Sequence, residues 1–102
     1  MPQNLFAYGT LLDPVIQLKI VGRVLEGVPA VLNEYKKRMH TFECGEYPII
    51  EVSALDSVKG VVLALTEKEL NFCDLYEGTD YKRVVVTLQK GTTSWVYVVN
   101  EN

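Results

Sequence analysis

Histidine occurs once in the 102 residues, at His40, and cysteine twice, at Cys44 and Cys73. A single imidazole excludes most histidine-dependent nucleophilic triads, since only His40 is left to act as base. Two thiols form at most one bridge. With no Cys-x-x-Cys pair, neither a disulfide framework nor a zinc knuckle is expected, and no metal site is assigned. Basic residues are also outnumbered: ten Lys and Arg against thirteen Asp and Glu give a net charge of −3, and the basic run Lys36-Lys37-Arg38 is short. The electrostatic footprint of a nucleic-acid binder is therefore missing. No stretch approaches the roughly twenty apolar residues of a membrane span, and Met1-Pro2-Gln3-Asn4-Leu5-Phe6 has no charged head followed by a long apolar run. The expectation is a soluble, cytoplasmic protein with no nucleic-acid or membrane partner. Its chemistry must lean on carboxylates, hydroxyls or backbone amides, and the sequence leaves the oligomeric state unset.

What is present is apolar. Hydrophobic residues make up 48% and charged residues 23% of the chain, a balance that folds rather than staying disordered. The length accommodates one hydrophobic core, so residues 1–102 are expected to form a single domain. Asn4 to Tyr8 reads as a first strand that breaks at Gly9-Thr10. Asp13 is placed to cap a short helix with Pro14 at its first position, and Val15, Leu18 and Ile20 give that helix an inner face. From Gly22 the pattern turns β-like, with Val24, Leu25, Val28, Val31 and Leu32, and Gly27 and Pro29 suggest a bulge or a bend. Glu34 to Phe42 is a polar-edged strand or loop, Cys44 to Pro48 a turn, Ile49 to Val52 a short strand, and Gly60 to Leu65 an apolar run of strand length.

Thr66-Glu67-Lys68-Glu69 is a capping box that opens the clearest helix, which runs through Leu70, Cys73 and Leu75 to Glu77 with Gly78 as its left-handed stop. Two further strands, Tyr81 to Leu88 and Ser94 to Val99, are joined by a hairpin at Lys90-Gly91-Thr92. Along the last of them Trp95, Val96, Tyr97 and Val98 alternate, so the two faces should differ in burial. Strands outnumber helices, and several glycines sit where a curved sheet would bend. The chain is thus α+β, β-rich, and better suited to a small barrel with one or two flanking short helices than to a flat sheet.

Two spots offer chemistry. Tyr8-Gly9-Thr10-Leu11 is a strand end breaking into a glycine turn whose amides can form an anion-binding nest, although a plain strand-to-helix turn accounts for the same residues. Glu77, in the last turn of the second helix, faces the negative end of the helix dipole, which raises its pKa in the direction wanted of a general base. From position alone, a solvated surface glutamate beside a capping glycine is the commoner arrangement. Asp74 lies three residues back and makes a paired-carboxylate site geometrically possible. His40 and Cys44 form a weaker nucleophile pair, Cys73 reads as a core residue of the helix, and Arg23, Arg38 and Arg83 are available to clamp a carboxylate or to pair on the surface.

Leu5-Phe6-Ala7-Tyr8-Gly9-Thr10-Leu11, Asp13-Pro14, Gly22-Arg23, Gly45-Glu46-Tyr47-Pro48, Leu75-Tyr76-Glu77-Gly78 with Tyr81 and Arg83, and the ending Trp95-Val96-Tyr97-Val98 together resemble the gamma-glutamylcyclotransferase-like superfamily. The similarity is to its short AIG2-like group and spans nearly the whole chain. The resemblance implies a small closed mixed β-barrel of about six strands with flanking helices. It also implies an enzyme of the acyltransferase class that converts a gamma-glutamyl amine or amide to 5-oxoproline and releases the amine, without a cofactor. On it, Tyr8, Gly9, Thr10 and Leu11 form the substrate-binding loop, Glu77 is the catalytic acid/base, and Tyr81 and Tyr97 lie near the cavity. The partner is then a small gamma-glutamyl-type molecule. Leu12-Asp13-Pro14 departs from the glutathione-directed and gamma-glutamylamine-directed branches and leaves the substrate open. The competing reading is a non-catalytic module that holds an acidic metabolite in the same cavity.

Overall fold

Strand β1 (Gln3–Ala7) is buried on both faces and organises the molecule. Its alternation sends Leu5 and Ala7 to one side and Phe6, with Tyr8 just beyond the strand, to the other. Leu5 and Ala7 pack with Leu11, Leu63, Leu65, Leu70, Cys73 and Tyr97 beneath the helices. Phe6 and Tyr8 pack with Leu32, Ile50, Val58, Leu88 and Val96 inside the curl of the sheet. Each fully buried large side chain of these clusters contributes on the order of 1.5–3 kcal/mol. The structure is a computed structural model that describes residues 2–100; Met1, Glu101 and Asn102 lie outside the described residues.

β1 pairs antiparallel with β3 (Gly45–Leu65) and parallel with β5 (Thr93–Val99). β2 (Gly27–Phe42) pairs antiparallel with β3, and β4 (Tyr81–Thr87) with β5, giving the order β2-β3-β1-β5-β4. The sheet is mixed and curled, as expected, but it has five strands rather than about six, and its ladders leave β2 and β4 as edges. A backbone hydrogen bond from the Gln89 N–H to the Val31 carbonyl, 2.9 Å, draws those two edges together where the ladder does not close.

The strand count differs because segments that read as separate strands are continuous. β2 and β3 are 16 and 21 residues long and form one hairpin turning at Glu43 and Cys44. The bend is not at Gly27 or Pro29, which are ordinary paired positions opposite Leu63 and Val61. It falls at Glu34, with a φ of 68°, where Asn33 pairs with Ser57 but Tyr35 pairs with Val52. Such an insertion deepens the local twist and lets long strands wrap. The β-like stretch from Gly22 also starts late, since residues 22–26 precede the strand. Gly60 has a packing reason: a Cβ there would sit 2.5 Å from the Ala7 carbonyl oxygen and 2.7 Å from Phe6 Cζ.

Helix α1 (Pro14–Val21) starts as its cap dictates, with the Val15 N–H donating to Asp13 Oδ1 at 2.9 Å, and ends at Gly22 in the left-handed conformation. Its inner face is Ile16, Gln17, Ile20 and Val21, whereas Val15 and Leu18 are more than half exposed. Gln17 is buried because it is fully used: its Nε2 donates to the Leu11 carbonyl and its Oε1 accepts from the Leu25 N–H, both at 2.8 Å. Helix α2 (Glu67–Glu77) carries both arms of the capping box, with Leu70 and Cys73 buried and Leu75 80% exposed. Gly78 ends it at φ 70° and ψ −158°, a positive φ but not the left-handed helical conformation expected.

Candidate functional site

The chain leaves β1 at Tyr8 and enters a single 3-10 turn, Thr10–Leu12, through Gly9. That turn's own bonds run from the Leu12 and Asp13 amides to the Gly9 and Thr10 carbonyls, so the amides of Thr10 and Leu11 lie at its open end. Gly9 runs close to the far side of the site, where a Cβ on it would stand 3.0 Å from Pro48 Cγ. The end of α2 faces the same turn, joined to it by a hydrogen bond from the Tyr76 hydroxyl to Thr10 Oγ1 at 3.1 Å.

Between these elements lies a pocket of about 200 Å³, lined by Phe6 to Leu11, Phe42, Cys44, Tyr47, Pro48, Tyr76, Glu77, Asp80, Tyr81 and Tyr97. It contains Tyr8, Gly9, Thr10, Leu11, Glu77, Tyr81 and Tyr97 together, which is where the sequence reading put substrate and acid/base. Arg23, Arg38, Arg83, His40 and Asp74 are not part of the lining. The sequence reading did not single out Phe42, Tyr47, Pro48, Tyr76 or Asp80 as site residues. Tyr47, Pro48 and Tyr76 were nonetheless within the motifs that carry the resemblance.

Glu77 is the electrostatic focus. Its carboxyl is pushed up to about 7, and burial is the cause. The direction is the one expected from the helix dipole, but its cause is desolvation in the pocket. Among the described residues no ion pair or hydrogen bond compensates the Glu77 carboxylate. Its charge is felt across the pocket. The Tyr8 hydroxyl is raised first by burial and then by Tyr81 and Glu77, and Tyr81 is pushed up to about 12 by burial and then by Glu77.

The hydroxyls of Tyr8, Tyr81 and Tyr97 are engaged by the protein. Tyr8 donates to the Tyr97 carbonyl at 2.6 Å, Tyr81 to the Pro48 carbonyl at 2.9 Å, and Tyr97 to Asp74 Oδ1 at 2.7 Å. Asp74 also receives both Nε and Nη2 of Arg83 at 2.8 Å, so it makes no carboxylate pair with Glu77. Each arginine has a carboxylate partner: Arg23 with Glu69, Arg38 with Glu51 and Arg83 with Asp74. Cys44 lines the pocket from an exposed turn, and His40 sets its ring edge-on to Phe42 at 4.6 Å; no hydrogen bond joins the two among the described residues. Burial pushes the Cys73 thiol up to about 11, as suits an inert core cysteine. Among the described residues no three His, Cys, Asp or Glu side chains gather as a metal site, and no helix is long and apolar enough to cross a membrane.

Residues 5–102 match the family described as gamma-glutamyl cyclotransferase, AIG2-like. Protein AIG2 C of Arabidopsis thaliana is 38% identical over 84 residues, which cover 81% of this chain and 50% of that protein. AIG2-like protein C of the same plant is 33% identical over 94 residues, covering 89% and 52%. The chain spans about half the length of the curated relatives it matches. Among solved structures, an Arabidopsis thaliana protein determined in solution superposes with a TM-score of 0.81 at 32% identity, covering 97% of this chain and 62% of that one. A gamma-glutamyl cyclotransferase superposes with a TM-score of 0.76 at 27% identity, covering 98% and 68%. With the family matched across nearly its whole length, the chain belongs to the AIG2-like gamma-glutamyl cyclotransferase family.

Proposed function

We propose that this chain cyclises the gamma-glutamyl group of a small amine or amide to 5-oxoproline and releases the amine, with Glu77 as general acid/base. The observation that carries the reading is Glu77 itself: an uncompensated carboxyl, pushed up to about 7 by burial, in one pocket with the open amides of the Tyr8–Leu11 turn. A pKa near the working pH lets one group both take and return a proton.

The substrate carries its own nucleophile. Its alpha-amine is tethered to the gamma-carbonyl and closes a five-membered ring, so proximity supplies much of the acceleration and no enzyme nucleophile or cofactor is required. Glu77 accepts a proton from the alpha-ammonium and the freed nitrogen attacks the gamma-carbonyl carbon. Glu77 returns that proton to the departing nitrogen and relays to it the second proton shed by the ring nitrogen, so that the C–N bond breaks to leave a lactam N–H and the amine as its ammonium ion. Backbone amides of Gly9, Thr10 and Leu11 hold the substrate carboxylate or the developing oxyanion. Tyr8, Tyr81 and Tyr97 form the walls against which the glutamyl chain lies. A pocket of about 200 Å³ is below the roughly 300–1,000 Å³ of drug-sized ligand sites and suits a small metabolite. The free thiols of Cys44 and Cys73 fit the reducing cytoplasm.

A non-catalytic module for an acidic metabolite is disfavoured by the same feature, because an unpaired carboxylate repels an anionic ligand. The test is incubation with a panel of gamma-glutamyl amines, amides and dipeptides followed by measurement of 5-oxoproline. Release from at least one member supports the reading, and binding without release from any of them overturns it.

A further inference from the structure

One residue of β5 reaches both halves of the pocket. The Tyr97 carbonyl accepts the Tyr8 hydroxyl at 2.6 Å, at the head of the amide turn. The Tyr97 hydroxyl donates to Asp74 Oδ1 at 2.7 Å, on the helix that carries Glu77. Asp74 is held on its other side by the paired Nε and Nη2 bonds from Arg83, which is the cross-strand partner of Tyr97 and lies 4.3 Å over the Trp95 ring. The Asp74 carbonyl in turn accepts the Gly78 N–H, the bond that ends α2 one residue after Glu77. A carboxylate with three charge-assisted or short donors in fixed directions is a stiff attachment point.

We propose that Tyr97 and Asp74 are positioning residues, a clamp from strand β5 that fixes the Glu77 end of α2 against the Tyr8–Leu11 turn. This deepens the cyclotransferase reading and rests on it for its effect on turnover. The hydroxyl proton of Tyr97 is committed to Asp74, so beyond the wall that the residue gives the pocket, its hydroxyl acts on turnover through Glu77. Without the clamp the last turn of α2 hydrates, and Glu77 loses both its burial and its aim.

The direct test is Tyr97→Phe, which keeps the ring, the carbonyl bond to Tyr8 and every charge around Glu77, including those of Asp74, Asp80, Arg83 and the ionisable Tyr8, Cys73 and Tyr81. The Glu77 carboxyl, followed by NMR, should titrate at least about one pH unit lower than in the wild type. The kcat for 5-oxoproline release should fall by about tenfold to a hundredfold with KM within about twofold. Asp74→Ala should lose kcat similarly, and Asp74→Asn, which keeps an acceptor for the Tyr97 hydroxyl, should recover part of it. An unchanged Glu77 titration in folded Tyr97→Phe overturns the clamp, as does an unchanged kcat in an active enzyme. If the wild type releases no 5-oxoproline while the titration falls as stated, the clamp stands and the reaction assignment fails.

Discussion

Tyr76 and Thr10 stand 66 positions apart in sequence and meet through a hydrogen bond from the Tyr76 hydroxyl to Thr10 Oγ1 at 3.1 Å. Both residues line the pocket, and the bond joins the helix bearing Glu77 to the Tyr8–Leu11 turn. Both side chains remain accessible to water, so the bond adds only about 0.5–1 kcal/mol to stability. Tyr76→Phe should therefore shift the urea midpoint only slightly. Turnover should drop by a few fold because the turn and the end of the helix are less firmly held together. Parallel denaturation and 5-oxoproline assays on the pair of proteins check both halves of the expectation.

Glu69 links the start of α2 to the end of α1. It closes the capping box with Thr66 and takes Arg23 Nε and Nη2 at 2.7 and 2.9 Å. The Arg23 bond first, then the Thr66 backbone amide and the Arg23 charge, outweigh its desolvation and hold its carboxyl down at about 2. The folded value lies below the unfolded one, so this stabilisation is full above about pH 5 and disappears as the pH falls toward 2. Glu69→Gln should lower Tm at pH 7, with the gap to wild type narrowing steadily between pH 5 and pH 2. A gap that stays constant across that range would show that the charge contributes nothing.

Gln17 is the buried polar residue whose two ends hold the Leu11 carbonyl and the Leu25 N–H. Gln17→Leu keeps the volume but strands both backbone groups away from water. The expected loss is about 2–4 kcal/mol, from two buried unsatisfied groups. Because Leu11 belongs to the amide turn, KM should rise as well. Chemical denaturation and a substrate titration give the two numbers.

How much of this was legible in the sequence follows the range of each interaction. The Asp13-Pro14 helix start and the Thr66/Glu69 capping box are local, and the structure forms both where the residues stand. The glycine ends are local too, although Gly78 takes a different ψ from the one expected. Of the expected inner face of α1, Ile20 packs on the core while Val15 and Leu18 are exposed; Gln17, polar by type, turns inward because its burial depends on two backbone partners outside the helix. The length of β2 and β3 was missed because an edge hairpin exposes residues such as Leu55, 99% accessible, and so breaks the alternation that marks strands. Asp74 read as a companion for Glu77 only until Arg83 and Tyr97, contributed by two other strands, claimed it. The Glu77 position was visible through the Leu75-Tyr76-Glu77-Gly78 motif. Its burial was not, since the pocket walls arrive from β1, the β2–β3 turn and β5.

Glu77 carries the central claim and has a stability consequence of its own. Its folded value of about 7 exceeds the ordinary carboxylate value, so the native state is favoured while the group keeps its proton. That advantage is full below about pH 4.5 and lost as the pH rises through 7. Glu77→Gln should accordingly match wild-type Tm at pH 4 and exceed it at pH 8, by on the order of 2 kcal/mol in stability. The most direct measurement pairs this folding check with 5-oxoproline release by wild type and Glu77→Gln on the same gamma-glutamyl substrate, across pH 5 to 9. The account predicts a wild-type profile that titrates near pH 7 and a folded, more stable variant whose turnover is lower by about a hundredfold to ten-thousandfold. A folded Glu77→Gln that turns over at close to the wild-type rate would contradict it.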